Sequence, residues 1–349
     1  MNAPTRCPYL CLPLCLALLG LLPACEFPLE VDTPQLNANA HAELVAYAES
    51  GSCTPGVFVD NVGGAGGKGF TRECTVQGSV YIGSSPDQVL RLSHVKEVLG
   101  FIYLTGNVDL ADALPDLEKC SAISVSGYKG TRLTGPAGLR EVSGLTVELT
   151  EHLQTISGFD SVKALAGLRI AKNNELVSVS GFSQLTTLVR LELEDNFKLS
   201  SFTALPNLVS VRGVSGYYTP GPISIKNCTS LLELPKFPVL TQIEDELVLM
   251  GLNATKIDGF PALKTAKSLK LNTLPNLKQL SFPELGDVGF LQILMAPALT
   301  SLSGLPKINV TSQSAICVDG VSCAELAEFR AQHTNGSAFS CGAYVACKP

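Results

Sequence analysis

The chain has 349 residues, of which 46% are hydrophobic and 16% are charged, and its formal net charge at pH 7 is -6. So large an apolar fraction supplies a substantial core and excludes a mainly disordered chain. The negative balance, without a polybasic run, argues against a nucleic-acid-binding protein, because such proteins need clustered Lys and Arg.

The N-terminus predicts export. Residues Tyr9–Leu22 form an apolar run of signal-peptide length, and the only charge before it is Arg6. The run leads into LPAC at residues 22–25, which resembles the lipobox of bacterial lipoproteins. The resemblance implies a signal peptide over 1–24 and acyl chains on Cys25 that attach the protein to a membrane. We therefore expect an exported lipoprotein at the outer membrane or cell surface; an ordinary signal peptide with an incidental cysteine is the alternative.

Two segments separate the expected anchor from the repeats. Residues 25–52 carry little periodic signal and are expected to be an anchor and linker. Residues 53–76 are expected to form an N-terminal cap, closed by a disulfide between Cys53 and Cys74. The glycine run in this cap does not predict a phosphate-binding loop, because Lys68 is followed by glycine and not by Ser or Thr.

From residue 77 to residue 310 the sequence repeats itself. Apolar and polar residues alternate with the period of a half-buried strand, and each such segment is followed by further regularly spaced apolar residues. Residues 213–221 interrupt the spacing. No single coil can bury its own apolar set, so the pattern predicts a mainly β solenoid of about ten coils of about 22–24 residues each. The predicted coil starts are Gly78, Gly100, Ala122, Gly144, Gly167, Arg190, Pro222, Glu246, Ser268 and Phe290.

Two motifs recur in these repeats: a Gly-Leu-x-Ile strand followed by Asn, as in Gly167–Asn173, and Phe-x-x-Leu turns, as in Phe182–Leu185 and Phe260–Leu263. They resemble the leucine-rich repeat and, more closely, the receptor L domain of growth-factor receptors and fungal wall proteins. The resemblance implies a right-handed parallel β-helix or leucine-rich-repeat-like solenoid that binds on a sheet face. The asparagine ladder is partial, since only Asn173 and Asn196 hold its position.

The repeat register divides the remaining cysteines into two groups. Cys120 falls at a buried apolar position and Cys228 at the asparagine position, and their distance of several coils exceeds the reach of a disulfide, roughly 7 Å between Cα atoms. Both are expected to be buried free thiols. Residues 311–349 are expected to form a cap over the end of the core, with a short helix over Ala324–Gln332. Its four cysteines allow three pairings in two disulfides: Cys317, Cys323, Cys341 and Cys347.

The solvent side of the predicted sheet is the candidate binding surface. One outward column contains Arg169, Glu192, Ser224, Val248, Lys270 and Gln292, and the next contains Ala171, Glu194, Lys226, Met250, Asn272 and Leu294. The insertion adds two aromatic residues of the kind that loops use in recognition. The candidate binding residues are Arg169, Glu192, Glu194, Tyr217, Tyr218, Lys226 and Lys270. An ordinary soluble surface is the alternative interpretation.

The sequence offers little support for catalysis, a metal or a cofactor. The four histidines are scattered, without a His-x-x-x-His or Cys-x-x-Cys pattern, and no Gly-x-Ser-x-Gly motif occurs. Glu192, Glu194 and Asp195 cluster on one coil, as the paired acids of a polysaccharide-active enzyme would. Acidic residues on the outer side of a strand are usually only solvated, so we expect no catalytic residues, no metal and no cofactor.

Three functions can be weighed from these features. The first is an envelope lipoprotein whose solenoid surface binds a protein or glycan partner. The second is a structural or spacer lipoprotein without a dedicated ligand. The third, a polysaccharide-active β-helix enzyme, has the least support.

Overall fold

The computed structural model describes residues 68–72, 75–77, 79–83, 95–212, 223–312 and 314–332. These residues form a β-solenoid of about ten coils, with successive coils about 23 residues apart. The predicted mainly β solenoid is therefore confirmed. One step along the chain is longer, because Leu191 pairs with Ile223 across the insertion that the sequence predicted.

A parallel sheet of fifteen strands runs the length of the solenoid, and we call it the main sheet. Its first pairing, between β1 and β2, is antiparallel, and the other pairings in its described strands are parallel. The strands are β1 (Lys68–Arg72), β2 (Thr75–Gln77), β3 (Val80–Ile82), β4 (Glu97–Leu104), β5 (Lys119–Ser126), β7 (Glu141–Glu148), β9 (Ala164–Ala171), β11 (Thr187–Glu194), β13 (Ser210–Val211), β14 (Ile223–Lys226), β15 (Gln242–Met250), β17 (Thr265–Asn272), β19 (Asp287–Leu294), β20 (Asn309–Val310) and β21 (Ala315–Cys317).

Shorter strands form a second side of the coils. Four of them make one parallel sheet and two make another. They are β6 (Arg132–Thr134), β8 (Thr155–Ser157), β10 (Ser178–Val179) and β12 (Ser201–Phe202) in the first, and β16 (Lys256–Ile257) and β18 (Gln279–Leu280) in the second. Two helices interrupt the described β structure: α1 (Leu110–Ala113) and α2 (Cys323–Gln332). The predicted C-terminal helix is thus confirmed, and it begins one residue earlier than expected.

Alternation of side chains builds the core from the main sheet. In β7, Val142, Leu145 and Val147 point inward and are buried, while the residues between them are half-buried or exposed. The apolar residues after each strand complete the core, as the coil after β11 shows, where Leu199, Phe202, Leu205, Leu208 and Val211 are all buried. Each coil therefore depends on its neighbours to cover its apolar side chains.

A left-handed residue follows each of the long strands from β5 to β19. These residues have positive φ values between 50° and 65°, a region that side chains other than Gly, Asn and Asp rarely adopt. The reversal turns the next residue inward, toward the core. The left-handed positions are Gly127, Leu149, Lys172, Asp195, Asn227, Gly251, Thr273 and Met295.

The inward residue that follows is where the predicted asparagine ladder lies. The Asn173 backbone N–H and its Nδ2 both donate to Asn196 Oδ1 at 3.1 Å, and Asn196 Nδ2 donates to the Ile170 carbonyl at 2.8 Å. Both asparagines are fully buried, so these bonds satisfy polar groups that water cannot reach. Cys228 takes the next place and Leu252 the one after, which confirms that the ladder is partial.

The Phe-x-x-Leu motifs form the second turn of the coils. The Leu185 N–H donates to the Phe182 carbonyl at 3.1 Å, and the Leu263 N–H donates to the Phe260 carbonyl at 3.3 Å. The phenylalanine rings stack from coil to coil, with 4.9 Å between the ring centroids of Phe159 and Phe182. Repetition of this turn therefore places aromatic rings over one another in the core.

Two predicted coil starts are wrong by one residue. Ala122 pairs with Phe101 and not with Gly100, because the register between β4 and β5 shifts after Val98. Because Val80 pairs with Ile102, the position equivalent to Phe101 is Ser79, and the start predicted at Gly78 is also one residue too early. An extra residue at the bend of β4 accounts for both differences, since such an irregularity leaves the apolar pattern intact.

The two cysteines inside the repeats are buried free thiols, as predicted. Burial raises the pKa of Cys120 to about 12 and that of Cys228 to about 11. A thiol that stays protonated at neutral pH behaves as a small apolar side chain, so both residues serve packing.

Candidate functional site

The register of the main sheet fixes which side chains share its outward face. One outward row, which we call the outer column, contains Tyr81, Tyr103, Ser124, Thr146, Arg169, Glu192, Ser224, Val248, Lys270, Gln292 and Ala315. The next row, the second column, contains Ser126, Glu148, Ala171, Glu194, Lys226, Met250, Asn272, Leu294 and Cys317. The predicted alignment of the candidate residues in these two rows is therefore correct.

Arg169 is the centre of an ion-pair network on this face. Its Nη1 lies 2.8 Å from Glu192 Oε2 and 3.5 Å from Glu194 Oε2, and its Nε lies 3.3 Å from Glu148 Oε2. Burial lowers the pKa of the guanidinium, but the bonds to Glu192 and Glu148 outweigh this and leave the pKa above its usual value. The strands β7, β9 and β11 supply these residues, so the network joins three coils.

Glu192 is far less accessible than its outward position predicted. Only 2% of the residue is exposed, and the neighbouring Ser224 and Val248 are also buried, with exposed fractions of 2% and 9%. Glu192 Oε1 accepts no hydrogen bond in the described structure, although Arg190 Nη1 lies 3.5 Å away. The expectation of a solvated carboxylate is therefore wrong at this position, because neighbouring side chains enclose it.

Of the two candidate lysines, Lys226 joins this network and Lys270 forms a separate ion pair. Lys226 Nζ is 4.0 Å from Glu194 Oε1, and Lys270 Nζ is 2.5 Å from Glu246 Oε1. Lys270 also lies 5.9 Å above the centroid of the Phe290 ring, within the range of a cation–π contact. Both lysines remain partly exposed, so a partner can reach them. Tyr217 and Tyr218 lie outside the described residues.

An exposed aromatic cluster at the first coils was missed at the sequence level. The rings of Tyr81 and Tyr103 stack at 4.6 Å between centroids, and Phe101 and Tyr103 stack at 5.9 Å. Tyr81 is 46% exposed and Phe101 is 40% exposed. Burial and the neighbouring Tyr81 raise the pKa of Tyr103. The alternation of inward and outward positions along the strands could have identified these residues. The aromatic content of the sequence alone does not show which rings point outward.

A groove of about 550 Å³ lies at the bend of the first long strands. Leu99, Ser121 and Ser143 line it, and Lys119 stands at its rim, 3.5 Å from Glu97 and 3.2 Å from Glu141. The hydrogen bond to Glu141 raises the pKa of Lys119. The groove has the volume of a small-ligand site.

The acidic cluster is held together by one arginine. Arg169 Nη1 contacts both Glu192 and Glu194, so a guanidinium lies between these two carboxylates. Among the described residues, no group of three or more His, Cys, Asp or Glu could hold a metal ion. No helix in the same part of the chain is long and apolar enough to cross a membrane.

The proposed lipidation and disulfide sites fall mostly outside the described residues. This holds for Cys25, Cys53, Cys74, Cys341 and Cys347. Cys317 ends β21 and Cys323 begins α2. The disulfide pairings and the lipid anchor therefore stay predictions.

No family model, no curated protein and no solved structure matches this chain.

Proposed function

We propose that the chain is a lipid-anchored protein of the bacterial cell envelope whose leucine-rich, receptor L-domain-like solenoid binds a protein or glycan partner. The observation that carries the binding role is the set of partly exposed charged side chains on the outward face of the main sheet. Arg169, Glu194, Lys226 and Lys270 hold partly exposed charges on four coils of this face. The apolar leader and the lipobox-like sequence at Cys25 support the anchor.

The rigidity of the solenoid suits such a role. Parallel strands fix each outward side chain relative to its neighbours on the coils above and below, so the face is organised before a partner arrives. A preorganised surface loses little conformational entropy on binding. Side chains of both signs on this face give orientation and partner selectivity more than affinity.

A structural or spacer role is the second candidate, and one observation favours it. The charged residues of the face already pair with one another, as Arg169 does with Glu148 and Glu192 and Lys270 with Glu246. A surface whose charges are satisfied internally needs no partner. Substitutions on the face would then leave envelope function unchanged, while substitutions in the core would abolish it.

Protease shaving of intact cells that express the native protein tests surface display. We expect peptides of the solenoid to be released from intact cells, and to be lost from the cell surface when Cys25→Ala removes the lipidated residue. Release only after the envelope is broken would place the solenoid inside the envelope and favour the spacer role.

A further inference from the structure

Two glycines on the outward face of the main sheet have room for a larger side chain. Gly144 and Gly167 pair in register in β7 and β9, and Ala122 of β5 precedes them in the same row. A Cβ atom on Gly167 would meet nothing within 4 Å, and one on Gly144 would make only ordinary contacts at 3.9 Å. Arg190 continues this row in β11, so the backbone accepts a long side chain there.

The glycines in the turns behave differently. Gly158 and Gly181 have φ values of 80° and 97°, and a Cβ atom on Gly181 would lie 2.0 Å from the Gly158 carbonyl oxygen. Those two positions need glycine for the backbone itself. In a strand, by contrast, glycine weakens the structure and often marks a bulge, a tight bend, or a close approach by a ligand or another backbone. Gly144 and Gly167 pair without a register shift, so no bulge between these strands accounts for them. The empty row therefore points to an occupant on the face.

An aromatic wall stands at one end of this row. Tyr81 covers one side of the Tyr103 ring, with 13° between the ring planes. In the next coil Tyr103 pairs with Ser124, whose side chain is too small to cover the other side of the ring. Phe101, 40% exposed, extends the wall in the row of the glycines.

A wall of paired charges stands beside the other end of the row. Arg169 pairs with Glu148 and with the buried Glu192, whose Oε1 accepts no hydrogen bond in the described structure. From Tyr103 to Arg169 the sheet advances by three strands, or about 14 Å at the usual strand spacing. We call this region the trough: Phe101 and Tyr103 form one wall, Ala122, Gly144 and Gly167 the floor, and Arg169 the far wall. The groove of about 550 Å³ adjoins its floor at Ser121 and Ser143.

We propose that the trough binds a neutral oligosaccharide, an inference that rests on the proposed binding function and names its ligand class. The negative face of an aromatic ring attracts the polarised C–H groups of a sugar ring. The hydroxyls of Ser124 and Thr146, on the floor side of the trough, can each donate and accept a hydrogen bond. Arg169 already pairs with three glutamates, so no free positive charge is left to attract an anionic ligand.

A peptide fits this surface less well. Peptides commonly bind sheets by adding a strand at an edge, where backbone groups are free. The strands β5, β7 and β9 are paired on both sides, so their backbone groups already bond to each other. Recognition here has to use ring faces and hydroxyl groups, as sugar recognition does.

Isothermal titration of the full-length lipidated protein in detergent with cellohexaose, maltohexaose and chitohexaose tests the proposal. We expect at least one hexasaccharide to bind. Gly144→Leu fills the floor and Tyr103→Ala removes the wall, so each should weaken binding about tenfold or more, a change of about 1.4 kcal/mol. Gly286→Leu is the matched control, because a Cβ atom there has only one neighbour within 4 Å, at 3.8 Å, and Gly286 lies outside the trough.

Gly144→Leu should keep the wild-type melting temperature, since its Cβ atom meets no obstacle. Failure of all three sugars to bind would overturn the proposal, as would binding that Gly144→Leu and Tyr103→Ala leave unchanged. Crosslinking of a protein at Lys226 or Lys270 in cells, with no sugar bound, would overturn the glycan ligand and leave the proposed binding function intact. If no sugar binds and no protein crosslinks, the proposed binding function itself is contradicted.

Discussion

Glu192 has the side chain whose environment is most unusual for an outward strand position. Its carboxylate is almost fully enclosed, and its closest cation is the Arg169 guanidinium at 2.8 Å. A buried charge of this kind depends on its partner, because removal of the partner leaves a charge that neither water nor protein compensates. The stability of the folded protein therefore depends on the Arg169–Glu192 ion pair.

Arg169→Ala should therefore lower the free energy of unfolding by about 2–3 kcal/mol, because it removes the closest guanidinium from the buried Glu192 carboxylate and leaves only Arg190, at 3.5 Å. Urea denaturation monitored by circular dichroism measures the change. Glu194→Ala is the control: its side chain is 30% exposed, and we expect a cost of about 0–1 kcal/mol. Equal costs for the two variants would show that burial of Glu192 does not matter.

The thiol of Cys120 gives a prediction about pH. Its pKa is raised from 9.0 to about 12 by burial, so above pH 9 the unfolded chain releases a proton that the folded chain keeps. The unfolded state then binds fewer protons, and stability falls as pH rises from 9 toward 12, by up to about 1.4 kcal/mol per pH unit. Cys120→Val removes this contribution, and valine already occupies the register positions on both sides, Val98 and Val142.

The measurement is the unfolding free energy at pH 8 and at pH 10. We expect it to fall by a larger amount in the wild type than in Cys120→Val. An identical fall in the two proteins would mean that the thiol ionises as readily in the folded state as in the unfolded state. Cys228 and the tyrosines are common to both proteins, so their contributions cancel.

At the scale of the element, the turn after each long strand repeats one backbone conformation with different residues. Glycine and asparagine tolerate the left-handed conformation, whereas the β-branched Thr273, with a φ of 52°, does not. The turn therefore stores strain at some coils and not at others. The left-handed conformation persists in these coils because the packing of the next, inward residue determines the shape of the turn.

Thr273→Asn should raise the free energy of unfolding by about 0.5–1 kcal/mol, since asparagine adopts this conformation more readily. Thermal denaturation measures the effect. The reverse change, Asn227→Thr, should be destabilising, because it also removes the 2.8 Å hydrogen bond from Asn227 Nδ2 to Asp195 Oδ1. A lower melting temperature for Thr273→Asn would show that the threonine hydroxyl has a role in the turn.

At the scale of the whole molecule, the coils and their registers could be predicted from the sequence because two rules combine. Side chains alternate along a strand, and coils of nearly constant length place equivalent residues above one another. Arg169, Glu192 and Lys270 therefore fell in the predicted row. The shift at Phe101 could not be predicted, because one extra residue at a bend leaves the apolar pattern unchanged.

The accessibility of the face was harder to predict than its composition. Alternation identifies the outward side, but it does not show that neighbouring side chains enclose Glu192 and Ser224. The stacking of Tyr81 on Tyr103 likewise depends on which coils neighbour each other in space. The ligand is the hardest feature to predict from the sequence, because a solenoid keeps its fold with many different outward residues.

Site-specific photo-crosslinking in intact cells tests the central claim, that the main sheet presents a binding face. A photoreactive amino acid replaces Lys226 or Lys270 on the face, and Val177 or Leu232 at exposed positions outside the main sheet. We predict a crosslinked product of defined mass at the two lysine positions and none at the two control positions. Products that form equally at all four positions, or at none of them, would contradict a dedicated binding face.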